Sequence, residues 1–231
     1  MKKLTKSHQK RFDFEEKLNG NGNLTCTLDV NGEKHRFELS EFQLKEMEHV
    51  FRKNVSRRLV SKLTPIDLAN YIVSRQLGGK GMKLTTHLAL QKTLYFIDCE
   101  YMRHIGKPVS LFDEYTFEKW KFGPVCPITY REYQLFGSLD VSSLPFMQAF
   151  SFEHSEFLSQ IHSKDLSVKL LNEWIDKYIY VEQFRLVNKT HSHHVWKKDE
   201  SRIIDHDEPP IPYDVVELFN EIQSNSSFFD V

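Results

Sequence analysis

The chain is 231 residues long, 40% hydrophobic and 13% aromatic, enough to bury a sizeable core, and this places it among globular proteins. No apolar run approaches the roughly 20 residues of a membrane-spanning helix, and Thr5, Lys6, Ser7 and His8 stand where a signal peptide would place its apolar core, so no membrane association and a cytoplasmic location are expected. The net charge of −1 is unevenly distributed: residues 1–62 hold 14 Lys/Arg against 9 Asp/Glu, the remainder 17 against 23, a pattern that fits a boundary between units, a basic arm facing an acidic partner, or unevenly solvated faces.

Near the start, Phe12 and Phe14 precede Asn19-Gly20-Asn21-Gly22 and suggest one strand. Leu24 to Val30 alternate apolar and polar residues, Asn31-Gly32 follows, and Phe37 and Leu39 resume the alternation, which is the signature of a hairpin closed by a two-residue turn. Ser40 with Gln43 forms a capping-box pattern ahead of Leu44, Met47 and Phe51 at helical spacing. A small β-hairpin-plus-helix unit is expected, with room for a third strand.

Thr64-Pro65 with Asp67 in the first turn opens the next helix, whose apolar residues run from Ile66 to Leu77 before Gly78-Gly79 stops it. A longer helix is expected from about Thr86 to Ile105, with Leu90, Leu94, Ile97, Tyr101 and Ile105 on one stripe and Gly106 as its stop. Between Gly106 and Pro127 the prolines, glycines and aromatics favour extended structure with turns and a short pair of strands. Pro127 opens a helix that Gly137 ends, and further helices are expected around 154–162, 165–179 and 181–190, with a last amphipathic one from Val215. The end, 224–231, reads as a flexible tail. Cys26, Cys99 and Cys126 are odd in number and widely separated, which fits reduced thiols rather than a disulfide framework or a zinc site.

Several strings stand out in order: Leu90-Gln91-Lys92-Thr93-Leu94-Tyr95-Phe96, Gly106-Lys107-Pro108, Trp120-Lys121-Phe122-Gly123-Pro124-Val125, Thr190-His191 and Trp196. Together they resemble the Panacea domain, known also as the SocA-like antitoxin domain and, earlier, as phage-associated GepA-type proteins. Thr93 stands where the family pattern has an apolar residue, Phe122 where it has tyrosine, and Val195 where a proline before the tryptophan is common. The resemblance spans roughly residues 63–223. It implies a mainly α, compact helical domain with a short β-hairpin at 63–223; residues 1–62, whose own pattern reads as a small α+β unit, lie outside the resemblance as an N-terminal accessory segment. It also implies an antitoxin that neutralises a toxin, encoded beside it, by direct protein–protein binding. The alternative within the family is an adaptor that delivers the toxin to an ATP-dependent protease.

On that reading the candidate toxin-binding residues are Lys92, Tyr95, Trp120, Lys121, Phe122 and Tyr130, while Gly123, Pro124, His191 and Trp196 belong to the structural motif. Trp120 and Phe122 have two readings: core aromatics packed under the Gly-Pro turn, or anchors for a partner. Lys121 is then the exposed candidate. His191, His193 and His194 followed by Asp199, Asp205, His206 and Asp207 are the group nearest to a metal site, but without a His-Glu-x-x-His arrangement, and no metal or other cofactor is expected. Gly78-Gly79-Lys80-Gly81 lacks the spacing of a phosphate-binding loop, no Gly-x-Ser-x-Gly elbow is present, and the chain reads as a non-enzyme. Arg52, Lys53, Arg57, Arg58 and Lys62 form a basic stretch that suits a solvated face, an acidic toxin or, as a further alternative, nucleic acid.

Overall fold

Alternation and turn chemistry produce the first element group. In a computed structural model, β1 (Phe14–Leu18), β2 (Leu24–Val30) and β3 (Glu33–Leu39) form an antiparallel sheet in the order β1-β2-β3. The register pairs Val30 with Glu33, as a two-residue connection requires, and sets Leu24 opposite Leu39 and Cys26 opposite Phe37, so apolar residues match at that end of the strand pair. The structure describes residues 14–18, 24–30, 33–39, 62–79, 83–112, 114–145, 148–149, 152–204 and 209–231. The helix expected after Ser40, the Asn-Gly turns and most of the basic stretch lie outside these residues. The chain divides into two compact units, Met1–Val60 and Ser61–Val231.

The second unit is mainly helical. Its first helix, α1 (Pro65–Gly78), begins where Thr64 accepts from the Asp67 N–H at 3.2 Å while the Asp67 carboxylate accepts from the Thr64 N–H at 3.2 Å, a reciprocal cap that satisfies two otherwise orphaned donors. Helix α2 (His87–Ile105) is capped by Thr86 and stopped by Gly106, which takes the left-handed conformation at φ 66° and returns its N–H to Met102. α1, α5 (Val168–Ile179), α6 (Gln183–Ser192), α9 (Val215–Ser224) and the short helix α3 (Pro127–Tyr133) all pack on it. It is therefore buried on every side over most of its length, not along one stripe, and polar Gln91, Lys92, Asp98 and Glu100 are enclosed with the leucines.

The expected pair of strands is present as β4 (Glu118–Trp120) and β5 (Gly123–Val125). A two-residue strand from far along the chain, β6 (Ile211–Pro212), joins the other side of β4 and gives the order β5-β4-β6. After a 3₁₀ turn at Gln134–Phe136, α4 (His154–Ser163), α5 and α6 follow. α5 and α6 start two or three residues later than periodicity alone suggests, because Ser167 and Glu182 supply the caps. Two short helices, α7 (His194–Lys197) and α8 (Glu200–Ile204), precede β6 and α9, whose cap is Asp214. Among the described residues no helix is long and apolar enough to cross a membrane.

The C-terminal segment corrects the expectation of a flexible tail at 224–231. Phe228 is fully buried and stacks on His193, with ring centroids 3.8 Å apart, while Phe229 lies beneath the Arg103 guanidinium at 4.2 Å. The Phe228 carbonyl can only accept, so His193 carries its proton on Nε2, 3.1 Å away, and its Nδ1 accepts from the Tyr95 hydroxyl at 3.3 Å.

Candidate protein-binding site

Four of the five sequence strings converge on one place, the β4–β5 hairpin, while Gly106-Lys107-Pro108 follows the other end of α2. β5 is an edge strand, and two consecutive side chains of α2 take up backbone groups along it. The Lys92 amine donates to the Pro124 carbonyl at 2.8 Å, and the Gln91 side-chain oxygen accepts the Cys126 N–H at 2.9 Å. Pro124 has no N–H to offer a neighbouring strand, which suits an edge position. Gly123 is needed twice over: its φ of 87° lies in the region that side chains avoid, and a Cβ there would collide with the Thr190 hydroxyl and press on Lys92 Cε at 3.2 Å. From the other side the Trp196 indole donates to the Trp120 carbonyl at 3.1 Å, and His191 lies flat on Trp196 with centroids 3.7 Å apart. Lys119, buried in β4, is held by the Asp199 carboxylate at 2.5 Å.

The outer side of the same hairpin is exposed. Lys121 and Phe122 form its tip, with Phe122 51% exposed. Trp120 is half-buried against Tyr130 at 4.8 Å and donates its indole N–H to Glu118 at 2.8 Å. Tyr130 in turn leans on His87 at 4.8 Å. The result is a cation and an accessible aromatic at the tip of a fixed turn, with two half-buried aromatics beside it, a composition suited to protein contact.

The candidate residues thus separate into two groups. Trp120, Lys121, Phe122 and Tyr130 share an accessible face, and for Phe122 the core reading gives way to exposure. Lys92 and Tyr95 are corrected: both are fully buried, so neither is available to a partner in this structure. An apolar string with two polar residues embedded in it reads equally as an exposed helix edge or as an internal clamp, and only the surrounding helices decide. Lys119, Asp199 and Gln91 were missed as parts of the site. Gln91 and Lys92 interrupting a run of apolar residues carried some signal, whereas the Lys119–Asp199 pairing spans 80 positions and carried none.

Burial sets the electrostatics. It pushes the Lys92 amine down to about 7 and His193 to about 4, and takes His87 to about 4 with help from neighbouring Lys92. His191 is also lowered, first by burial and then by Lys92. The three histidines of the late cluster point to different tasks: His191 stacks on Trp196, His193 links Tyr95 to Phe228, and the backbone N–H of His194 is held by Glu221 at 2.6 Å. Among the described residues no three His, Cys, Asp or Glu side chains converge in a way that could hold a metal, while Asp205, His206 and Asp207 lie outside them. Of the basic stretch only Lys62 is described, and it pairs with Glu114.

Residues 90–197 match the family described as Antitoxin SocA-like, Panacea domain, within the span 63–223 read from the sequence strings. A 47-residue stretch is 49% identical to Antitoxin SocA of Caulobacter vibrioides (strain NA1000 / CB15N), covering 20% of this chain and 23% of that protein. The alignment therefore spans less than a quarter of the relative's length. No solved structure matches the chain. The region matched to the SocA-like Panacea family contains the whole clamped hairpin, from Gln91 to Trp196.

Proposed function

We propose that this chain is an antitoxin that neutralises a cognate protein toxin, encoded beside it, by direct stoichiometric binding in the cytoplasm and without turnover. The family match and the similarity to Antitoxin SocA support the role. The observation that carries the location of the contact is Phe122, half-exposed at the tip of a turn whose backbone is held by Lys92 and Trp196. A rigid turn loses little conformational freedom on binding, and an accessible aromatic beside a cation has the make-up of an interface anchor. Tyr130 and Trp120 widen the face and Lys121 gives it a positive rim.

The test is growth rescue. The adjacent reading frame is expressed alone and then with this protein, and the two are copurified. Rescue with a stable complex that Phe122→Ala weakens by about 2 kcal/mol or more supports direct neutralisation at this face. Rescue in which the toxin disappears in a protease-dependent way, without a stable complex, replaces the reading with that of an adaptor. A neighbour that is harmless when expressed alone removes the antitoxin reading at this locus.

A further inference from the structure

Two lysines are buried among the described residues, and they are treated differently. Lys119 faces the Asp199 carboxylate. Lys92, with no exposed surface, forms no ion pair among the described residues, and its amine makes one hydrogen bond there, to the Pro124 carbonyl. We propose that Lys92 is a positioning residue for the Lys121–Phe122 turn that works as an uncharged amine, and that taking up a proton loosens the turn. Its consequence for binding rests on the antitoxin reading; its consequence for the turn does not.

Several groups around the amine favour the neutral form. His87 on its own helix and His191 on α6 both interact electrostatically with Lys92; both imidazoles are held below their ordinary range, and a positive charge on either would repel an ammonium. β5 offers one carbonyl. At the start of α3 the Cys126 thiol is pushed up by burial and so stays uncharged. The Thr190 hydroxyl is engaged with the Val187 carbonyl. An ammonium brings three donors and a charge, whereas the amine makes one hydrogen bond and no ion pair among the described residues, a costly arrangement for a charge in a buried site. Burial accordingly lowers the amine to about 7.

Movement of the protonated side chain toward water has two effects on the hairpin. It leaves the Pro124 carbonyl without its donor, and it withdraws the methylene that packs under Gly123, where Cε closes the space beneath the backbone. Gly123 and Pro124 directly follow Phe122, so the tip inherits the change. With a midpoint near 7, roughly a tenth of the chains hold the neutral amine at pH 6, and if these are the binding-competent ones, affinity falls about tenfold from its limiting value.

The experiment uses the full chain. The ¹³Cε resonance of Lys92 is followed against pH together with the backbone amides of Gly123 and Val125. The expected result is a shared midpoint near 7, with the amide changes abolished in Lys92→Met, which cannot titrate. A ¹³Cε midpoint above 9 overturns the proposal, as do amide changes that persist unaltered in Lys92→Met, since another group would then be responsible. If Lys92→Met fails to fold, the wild-type ¹³Cε and amide midpoints decide: coincidence near 7 upholds the proposal and disagreement sinks it. Binding of the protein encoded by the adjacent frame is measured at pH 6 and pH 8, with about tenfold weakening expected at pH 6 and little pH dependence in Lys92→Gln, which keeps a donor. Binding equal at both pH values removes the consequence for partner binding. If that protein binds at neither pH, the antitoxin reading fails, whereas the shared midpoint still upholds the positioning role.

Discussion

On the inner side of the β4–β5 hairpin, Gln91, Lys92 and Trp196 direct their polar atoms at the backbone groups of Cys126, Pro124 and Trp120. On the outer side, Lys121 and Phe122 face solvent. Phe122, with its ring in water, directly precedes Gly123 and Pro124, which are buried. The inner residues fix a conformation and the outer ones present a surface, so the sequence strings shared with the Panacea domain report chiefly on how the turn is held. The C-terminal phenylalanines make the same point in reverse. Phe122 sits inside a family motif and is exposed, whereas Phe228, outside the matched region and near the end of the chain, is fully buried.

The largest effect expected from breaking this contrast lies at the tail. Phe228→Ala leaves a cavity against His193 and is expected to cost about 3–5 kcal/mol of stability in chemical denaturation; a loss below about 1 kcal/mol would show that the tail is not part of the core. Next is Gly123→Ala, which forces a Cβ toward Thr190 at a φ that disfavours it. A loss of about 2–3 kcal/mol is expected, together with weakened binding of the proposed partner, and a wild-type melting curve would contradict the tight approach described for this turn.

A third effect is sensitive to pH. His193 is held near 4 in the folded chain against an ordinary 6.5, so the folded state binds fewer protons than the unfolded one between these values. The stability this provides is fully present above about 6.5 and is lost as pH falls toward 4. Replacing His193 by Gln is expected to flatten the acid limb of the stability curve, by up to about 1.4 kcal/mol per pH unit. His87 contributes in the same direction, and Asp98, raised to about 6 by burial, opposes them by losing stability as pH rises from 3.8 to 6. An acid limb with the same slope in His193→Gln and wild type would place the sensitivity elsewhere. Smallest of all is Phe122→Ala, expected to change stability by no more than about 0.5 kcal/mol while weakening partner binding; a large loss of stability would make the tip a structural residue after all.

Much of the helical architecture was legible because its signals are local. Thr64-Pro65 with Asp67 and Thr86 with Gly106 each satisfy or redirect backbone groups within a few residues, and the observed ends follow them, whereas the Ser167 cap of α5 was not read. The strand pair around Gly123-Pro124 was legible for the same reason, and the third strand was not, because Ile211-Pro212 is joined to Lys119 and Glu118 only through the fold. At the candidate site the turn and its motif residues were visible in the sequence, but the sides on which they stand were not. Lys92 and Tyr95 look like possible contact residues in a linear reading, and become internal once α6, β5 and the segment around Tyr213 enclose α2.

The amino-acid sequence by itself determined where helices begin and end, where the hairpin turns, and that the chain carries the Panacea strings, since caps, glycine conformations and proline positions act over a few residues of backbone. The tertiary structure decided which of those residues are spent on holding the turn, that Phe122 remains outside, that Phe228 goes inside, and that the amine of Lys92 is enclosed with no ion pair among the described residues. Burial and electrostatic partnership depend on atoms brought together from distant parts of the chain, and no spacing within one segment records them.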